Sequence, residues 1–155
     1  MAKLTNIVIH CSDSEFGSAS EIDRWHKKRG WSGIGYHFVI LNGLIVPKTG
    51  YQTRLHLDCM DGQIEVGRKI DGDNWVSTNE QGAHALGFND KSIGICLIGV
   101  KDFTPRQMSA LRTLVSELCI HYGLTAKNVV GHYETPKAGG KTCPNFDMKL
   151  FRNSL

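Results

Sequence analysis

From Val129 to Phe146 the chain reads VVGHYETPKAGGKTCPNF, and the twelve residues from His132 to Cys143 gather an imidazole, two lysines (Lys137 and Lys141) and a thiol. Histidine and cysteine together suit zinc, and a lysine beside them suits a site where negative charge develops. His132 and Cys143 stand eleven apart, which matches no compact zinc-finger spacing. By itself the stretch therefore reads first as a surface loop with unrelated polar residues. A second pair, His10 and Cys11, closes the apolar run TNIVIHCS, where the strand ends of α/β sheets tend to present functional side chains. On residue type alone, a core imidazole bonded to a backbone carbonyl accounts for His10 somewhat better than a ligand does. Tyr36 lies near a turn, where its hydroxyl either reaches a cleft or is tied to backbone, a common fate. His84 falls in the small-residue stretch GAHALGFN, whereas His56 and Cys59 have nothing beyond residue type to mark them.

These groups need a frame. Thr5–Ser12 reads as a buried strand and Val129–Val130 as another, ending at Gly131-His132. Ser20–Arg29 reads as a helix capped by Ser20, with Asp23 in the capping-box position and Gly30 as its stop. Within Trp31–Leu41 a glycine-punctuated turn becomes a strand, and alternation places Tyr36, Phe38 and Ile40 on one face. Asn42-Gly43 signals a hairpin, Leu44–Pro47 continues it, and Lys48–Met60 reads as further hairpin elaboration before a short strand at Gln63–Val66. Asp71–Gln81 is a polar loop anchored by Trp75. Ser92–Val100 is a second buried strand whose glycines at 94 and 99 suggest close backbone approach. Phe103–Gly123 is the clearest helix: Thr104 caps, Pro105 takes the first position, Gln107 completes the box, and an apolar stripe runs from Met108 to Tyr122. Asn145–Asn153 reads as a short closing helix. The expectation is one α/β domain over residues 1–155, a central mixed sheet flanked by helices.

Composition narrows the class. A chain of 155 residues with 41% hydrophobic and 21% charged content fits a globular domain able to bury a core. A net charge of +3 suits approach to an anionic polymer but is far from a nucleic-acid-binding signature. The longest apolar runs, Ile7–Ile9 and Ile95–Ile98, are too short to cross a membrane. Met1-Ala2-Lys3 leads straight into strand-like sequence with no signal-peptide apolar region. The five cysteines are odd in number and lack framework spacing, so reduced thiols are expected.

Taken in order, IVIHCS from Ile7, WHKKRGWSGIGYHFVI from Trp25, GQIEVGR from Gly62, GAHALGFNDKSIGICLIG from Gly82, FTPRQMSALRTLV from Phe103 and GHYETPKAGGKTCPNFD from Gly131 cover nearly the whole chain. Together they resemble the zinc-dependent N-acetylmuramoyl-L-alanine amidases of the type-2 amidase and peptidoglycan recognition protein superfamily, the small phage lysozyme-like amidases above all. The resemblance implies metal ligands at His10, His132 and Cys143, one Zn2+ per chain, catalytic roles for Tyr36 and Lys141, and a substrate groove bordered by His84 and Asn89. Lys141 is chosen over Lys137 because it stands two residues before the cysteine; Lys137 is then a rim residue. Two departures stand out: an insertion over Leu44–Met60, and a longer loop between His132 and Cys143 with Gly139-Gly140 as the added material.

The activity so implied is hydrolysis of the amide joining N-acetylmuramic acid to L-alanine in peptidoglycan, serving phage or prophage host lysis. A monomer is expected, cytoplasmic until a holin-type partner releases it to the wall, with neither nucleic-acid binding nor membrane insertion. The alternative is a metal-free peptidoglycan-binding module of the same fold, for which the presence of Cys143 is the adverse sign.

Overall fold

The structure, a computed structural model, describes residues 3–46 and 56–155. At its centre lies a five-stranded sheet built from β1 (Asn6–Cys11), β2 (Phe38–Ile40), β3 (Ile64–Val66), β4 (Ser92–Leu97) and β5 (Val129–Gly131), in the order β3-β2-β4-β1-β5. β1 runs parallel to both β4 and β5, β2 runs parallel to β4, and β3 pairs antiparallel with β2 at the edge. The expected mixed sheet is therefore present.

Each face of the sheet has its own core. Ile7, Ile9, Ile93, Ile95 and Leu97 point to the side covered by α2 (Pro105–Tyr122) and α3 (Met148–Arg152), where Leu111, Leu114, Leu118, Met148 and Phe151 close over them. Val39, Leu41, Cys96 and Ile98 point to the other side and pack with Ile22 of α1 (Ala19–Lys28). His10 pairs in register with Cys96, and Cys96 with Val39, so His10 lies on the α1 side.

α2 follows its sequence signals. Thr104 accepts from the Gln107 amide, the Gln107 side chain accepts from the Thr104 amide, and Gly123 ends the helix at φ 64°. The buried Gln107 amide group also donates to the carbonyls of Ile40 and Ile98, stitching the cap to the sheet.

α1 begins earlier than expected. Its cap is Ser18, which accepts from Glu21 N at 3.2 Å, while Glu65 of β3 accepts from Ala19 N at 2.6 Å. Ser18-Ala19-Ser20-Glu21 spells a capping box itself, and β3 supplies the acceptor that local sequence does not reveal. Asp23 instead takes the Ile34 amide at 2.9 Å and pairs with Lys27.

A second correction concerns Tyr36. The carbonyls of Tyr36 and His37 both accept from the β3 side, from Arg68 N and Gly67 N. Two consecutive carbonyls on one side break the two-residue alternation, as at a bulge. Tyr36 consequently packs with Val39 and Leu41, not with Phe38 and Ile40.

Leu44 bridges His56, and Asp58–Met60 forms a single 3-10 turn, so the two ends of the Leu44–Met60 insertion meet. The hairpin reading for Pro47 and Lys48–Leu55 lies outside the described residues. Trp75 stacks on His121 with ring centroids 3.6 Å apart, which anchors its loop to the end of α2. Among the described residues no helix is long and apolar enough to cross a membrane.

Candidate metal centre and active site

The parallel register brings the two ends of the chain together. Ile9 of β1 lies opposite Gly131 of β5, so the next residues, His10 and His132, emerge side by side with ring centroids 4.5 Å apart. Cys143 arrives from the following loop. Its Sγ accepts from the Cys11 amide at 3.1 Å, and its carbonyl accepts from Tyr133 N at 3.0 Å. The ligand atoms of His10, His132 and Cys143 all lie within 4.8 Å of one another. The loop holds this shape through local bonds. Thr135 bonds the His132 carbonyl, Ala138 N donates to Thr135 O, and the left-handed pair Gly139 (φ 62°) and Gly140 (φ 78°) turns the chain before Lys141. From outside, Glu134 accepts from Gly131 N and from both terminal nitrogens of Arg152, fixing the 3-10 turn His132–Glu134 against α3.

Electrostatics favour the ligand forms of the imidazoles. Burial, with His84, His132 and Lys141 nearby, holds His10 well below the usual histidine range. Burial and Lys141 lower His132 too. Both rings are then neutral near pH 7, as metal ligation requires. The Cys11 and Cys143 thiols hydrogen-bond to each other; the contact lowers Cys11 and raises Cys143, with burial adding to the rise. A bound cation reverses that rise, since a coordinating thiol is deprotonated outright, and the Cys11 N–H already points at the sulfur. The donor set therefore fits a zinc ion: two neutral imidazoles and one thiolate, the fourth position free for water.

Tyr36 stands over His10 with ring centroids 5.0 Å apart. Burial, followed by the neighbouring thiols of Cys96, Cys143 and Cys11, raises its phenol well above the usual value. It therefore enters the site as a protonated donor.

A cleft of about 400 Å³ opens beside the cluster and brings His84, Asn89, His132, Lys137 and Lys141 together, with Trp31 and Leu86 exposed on its rim. The two lysines differ. Lys141 acts by its charge on both His10 and His132. Lys137 lies along Gly87, where an added Cβ would come within 3.3 Å of its Cδ and 3.7 Å of its Nζ. Asn89 borders the cleft, but its side-chain oxygen accepts from the amides of both His84 and Ala85 at 2.8 Å. His84 borders the cleft and also meets His10, Nδ1 to Nε2, at 3.0 Å. That contact spans 74 positions, and the sequence offers one trace of it: a Cβ on Gly94 would sit 2.5 Å from the His84 ring, so the strand glycine leaves room for an imidazole. A hollow of about 490 Å³ beside Asn42, Gly99 and Phe103 shares no residue with the metal cluster.

Comparison with known proteins agrees with this geometry. The family model described as N-acetylmuramoyl-L-alanine amidase matches residues 1–146. The endolysin of Klebsiella phage KP32 is 34% identical, the match covering 94% of this chain and 83% of that protein. Among solved structures, the N-acetylmuramoyl-L-alanine amidase LysC from Clostridium intestinale URNW superposes with a TM-score of 0.72 at 28% identity, over 99% of this chain and 85% of that one. Drosophila PGRP-LB shares the fold with a TM-score of 0.65 at 24% identity, over 99% and 80%.

Proposed function

The chain belongs to the N-acetylmuramoyl-L-alanine amidase family and is an enzyme of that class, and from that premise we propose that it cleaves the bond between N-acetylmuramic acid and L-alanine with one zinc ion held by His10, His132 and Cys143. The observation that carries this reading is the convergence of those three ligand atoms within 4.8 Å from both ends of the chain. Bound there, zinc supplies Lewis-acid polarisation and a water acidified towards neutral pH.

The chain's own residues do the rest. An amide is a poor electrophile with a poor leaving group, so its hydrolysis needs a placed water, a stabilised oxyanion and a proton for the departing nitrogen. Lys141, whose charge reaches the two histidines, stabilises the oxyanion. Tyr36, kept protonated, orients the water by hydrogen bonding and takes part in moving the proton. His84 and Asn89 border the cleft that takes the stem peptide. The net charge of +3 favours approach to an anionic wall. The phage endolysin among its relatives supports a role in host lysis. In that role the whole chain acts as one monomeric domain, and a holin-type partner releases it from the cytoplasm.

Cys143→Ser tests the centre. Replacing the thiolate should remove most of the zinc, measured by atomic absorption, and most release of L-alanine-linked peptides from purified walls. Full zinc and full activity in that variant would remove Cys143 from the ligand set. A wild-type protein that binds walls without zinc and without cleavage would belong with the binding modules of this fold.

A further inference from the structure

His84 does more in this structure than border the cleft. Its Nδ1 meets Nε2 of His10 at 3.0 Å, and the pair is buried. A neutral imidazole carries one N–H, so this contact has two possible directions. If His84 donates, the proton of His10 sits on Nδ1 and its remaining lone pair is spent on His84, leaving nothing for a metal. If His10 donates through Nε2, its Nδ1 lone pair is left free. Metal ligation decides between them, because only the second direction leaves His10 a lone pair to offer a cation. Nδ1 of His84 is then the acceptor, and its proton sits on Nε2, which is buried with no hydrogen-bond partner among the described residues.

We infer that His84 is a positioning residue which, by accepting from Nε2 of His10, fixes the tautomer that presents Nδ1 of His10 to the metal. This rests on the zinc reading above. The surroundings are built for it. Gly94 clears the space under the ring, since a Cβ there would lie 2.5 Å from Cγ and Cδ2 of His84. Asn89 holds the backbone amides of His84 and Ala85, which sets where the ring leaves the chain. Outer partners of metal-binding histidines are usually carboxylates, backbone carbonyls or water; here the partner is a second imidazole, itself ordered from the next strand.

Three variants separate a hydrogen-bonding role from simple packing. His84→Asn keeps an acceptor near the position of Nδ1, His84→Phe keeps a ring but no acceptor, and His84→Ala keeps neither. Zinc affinity is read by competition with a chromogenic chelator, and the His10 tautomer by imidazole 15N–1H correlation on the metal-free protein, assigned with a His10 variant. The expected result is a loss of about 10–100-fold in zinc affinity for His84→Phe and His84→Ala, affinity within a few-fold of wild type for His84→Asn, and a His10 proton on Nε2 in wild type that becomes mixed in His84→Phe. Thermal midpoints of the metal-free variants confirm that folded protein is compared. Equal zinc affinity and an unchanged tautomer in His84→Phe would overturn the inference, as would equal losses in His84→Asn and His84→Phe. Wild-type protein that takes up no zinc would refute the metal reading itself, while the tautomer measured on metal-free protein tests the His10–His84 direction separately.

Discussion

Lys137 and Lys141 stand four residues apart on the same loop and border the same cleft. Spacing to Cys143 favours Lys141, and geometry supports the same choice by a different route: its charge acts on His10 and His132, while Lys137 is laid along Gly87. Lys141→Ala should lower kcat by ~10²–10³, the usual cost of losing an oxyanion donor, at unchanged zinc content. Lys137→Ala should change kcat by less than about ten-fold. Steady-state kinetics on a soluble muropeptide reads both, and the opposite ranking would transfer the role to Lys137. Tyr36 is argued in the same way. Its ring packs on His10 and its phenol stays protonated, so Tyr36→Phe should retain metal and fold while slowing turnover by ~10²-fold or more. Wild-type kinetics in that variant would make Tyr36 a packing residue.

Among the elements, the short turn His132–Glu134 has to be steered from outside, and α3 does it. Arg152 grips both oxygens of Glu134, which also takes the Gly131 amide. Burial pushes the Glu134 carboxyl up, but these bonds outweigh it and leave its pKa lowered. A carboxyl whose folded pKa is depressed contributes stability above its unfolded pKa and loses it as pH falls through the folded value. Solvent screens part of the pair, so Glu134→Gln should cost about 1 kcal/mol at pH 7. Its stability should also fall less steeply than that of wild type below about pH 4.3, the ordinary carboxyl value. Urea melts at pH 7 and pH 3 would expose the difference, and parallel losses at both would exclude the ionic contribution. What could be read in advance follows the same division between local and distant causes. The α2 cap and its glycine stop are set by residues within four positions and were legible. The Ser18 cap was half legible, because Glu65 from β3 completes it. The face of Tyr36 was not, because two amides just past β3, those of Gly67 and Arg68, bond consecutive carbonyls and decide it. Alternation assumes a regular ladder, and here the partner strand breaks it.

Across the whole molecule, the candidate site joins residues 10 and 143, so its ligands could be named from resemblance but not from spacing. The contact between His10 and His84 left no trace but the strand glycine at 94, which clears room for the imidazole: 74 positions separate the two histidines, and only the folded sheet makes them neighbours. This topology has a thermodynamic consequence. β1, β5 and the loop after β5 all converge on the three ligands, and an unfolded chain cannot present them together. Zinc should therefore bind the folded state almost exclusively and stabilise it by mass action. At free zinc about 1,000-fold above Kd the gain is ~4 kcal/mol. For a domain of this size that raises Tm by roughly 8–16 °C. Calorimetry of wild-type protein with zinc and with a strong chelator should show that gap, and Cys143→Ser should show little of it. A wild-type Tm indifferent to the chelator would mean that the two ends of the chain are held together by the sheet alone, and that the metal, if bound at all, adds no stability.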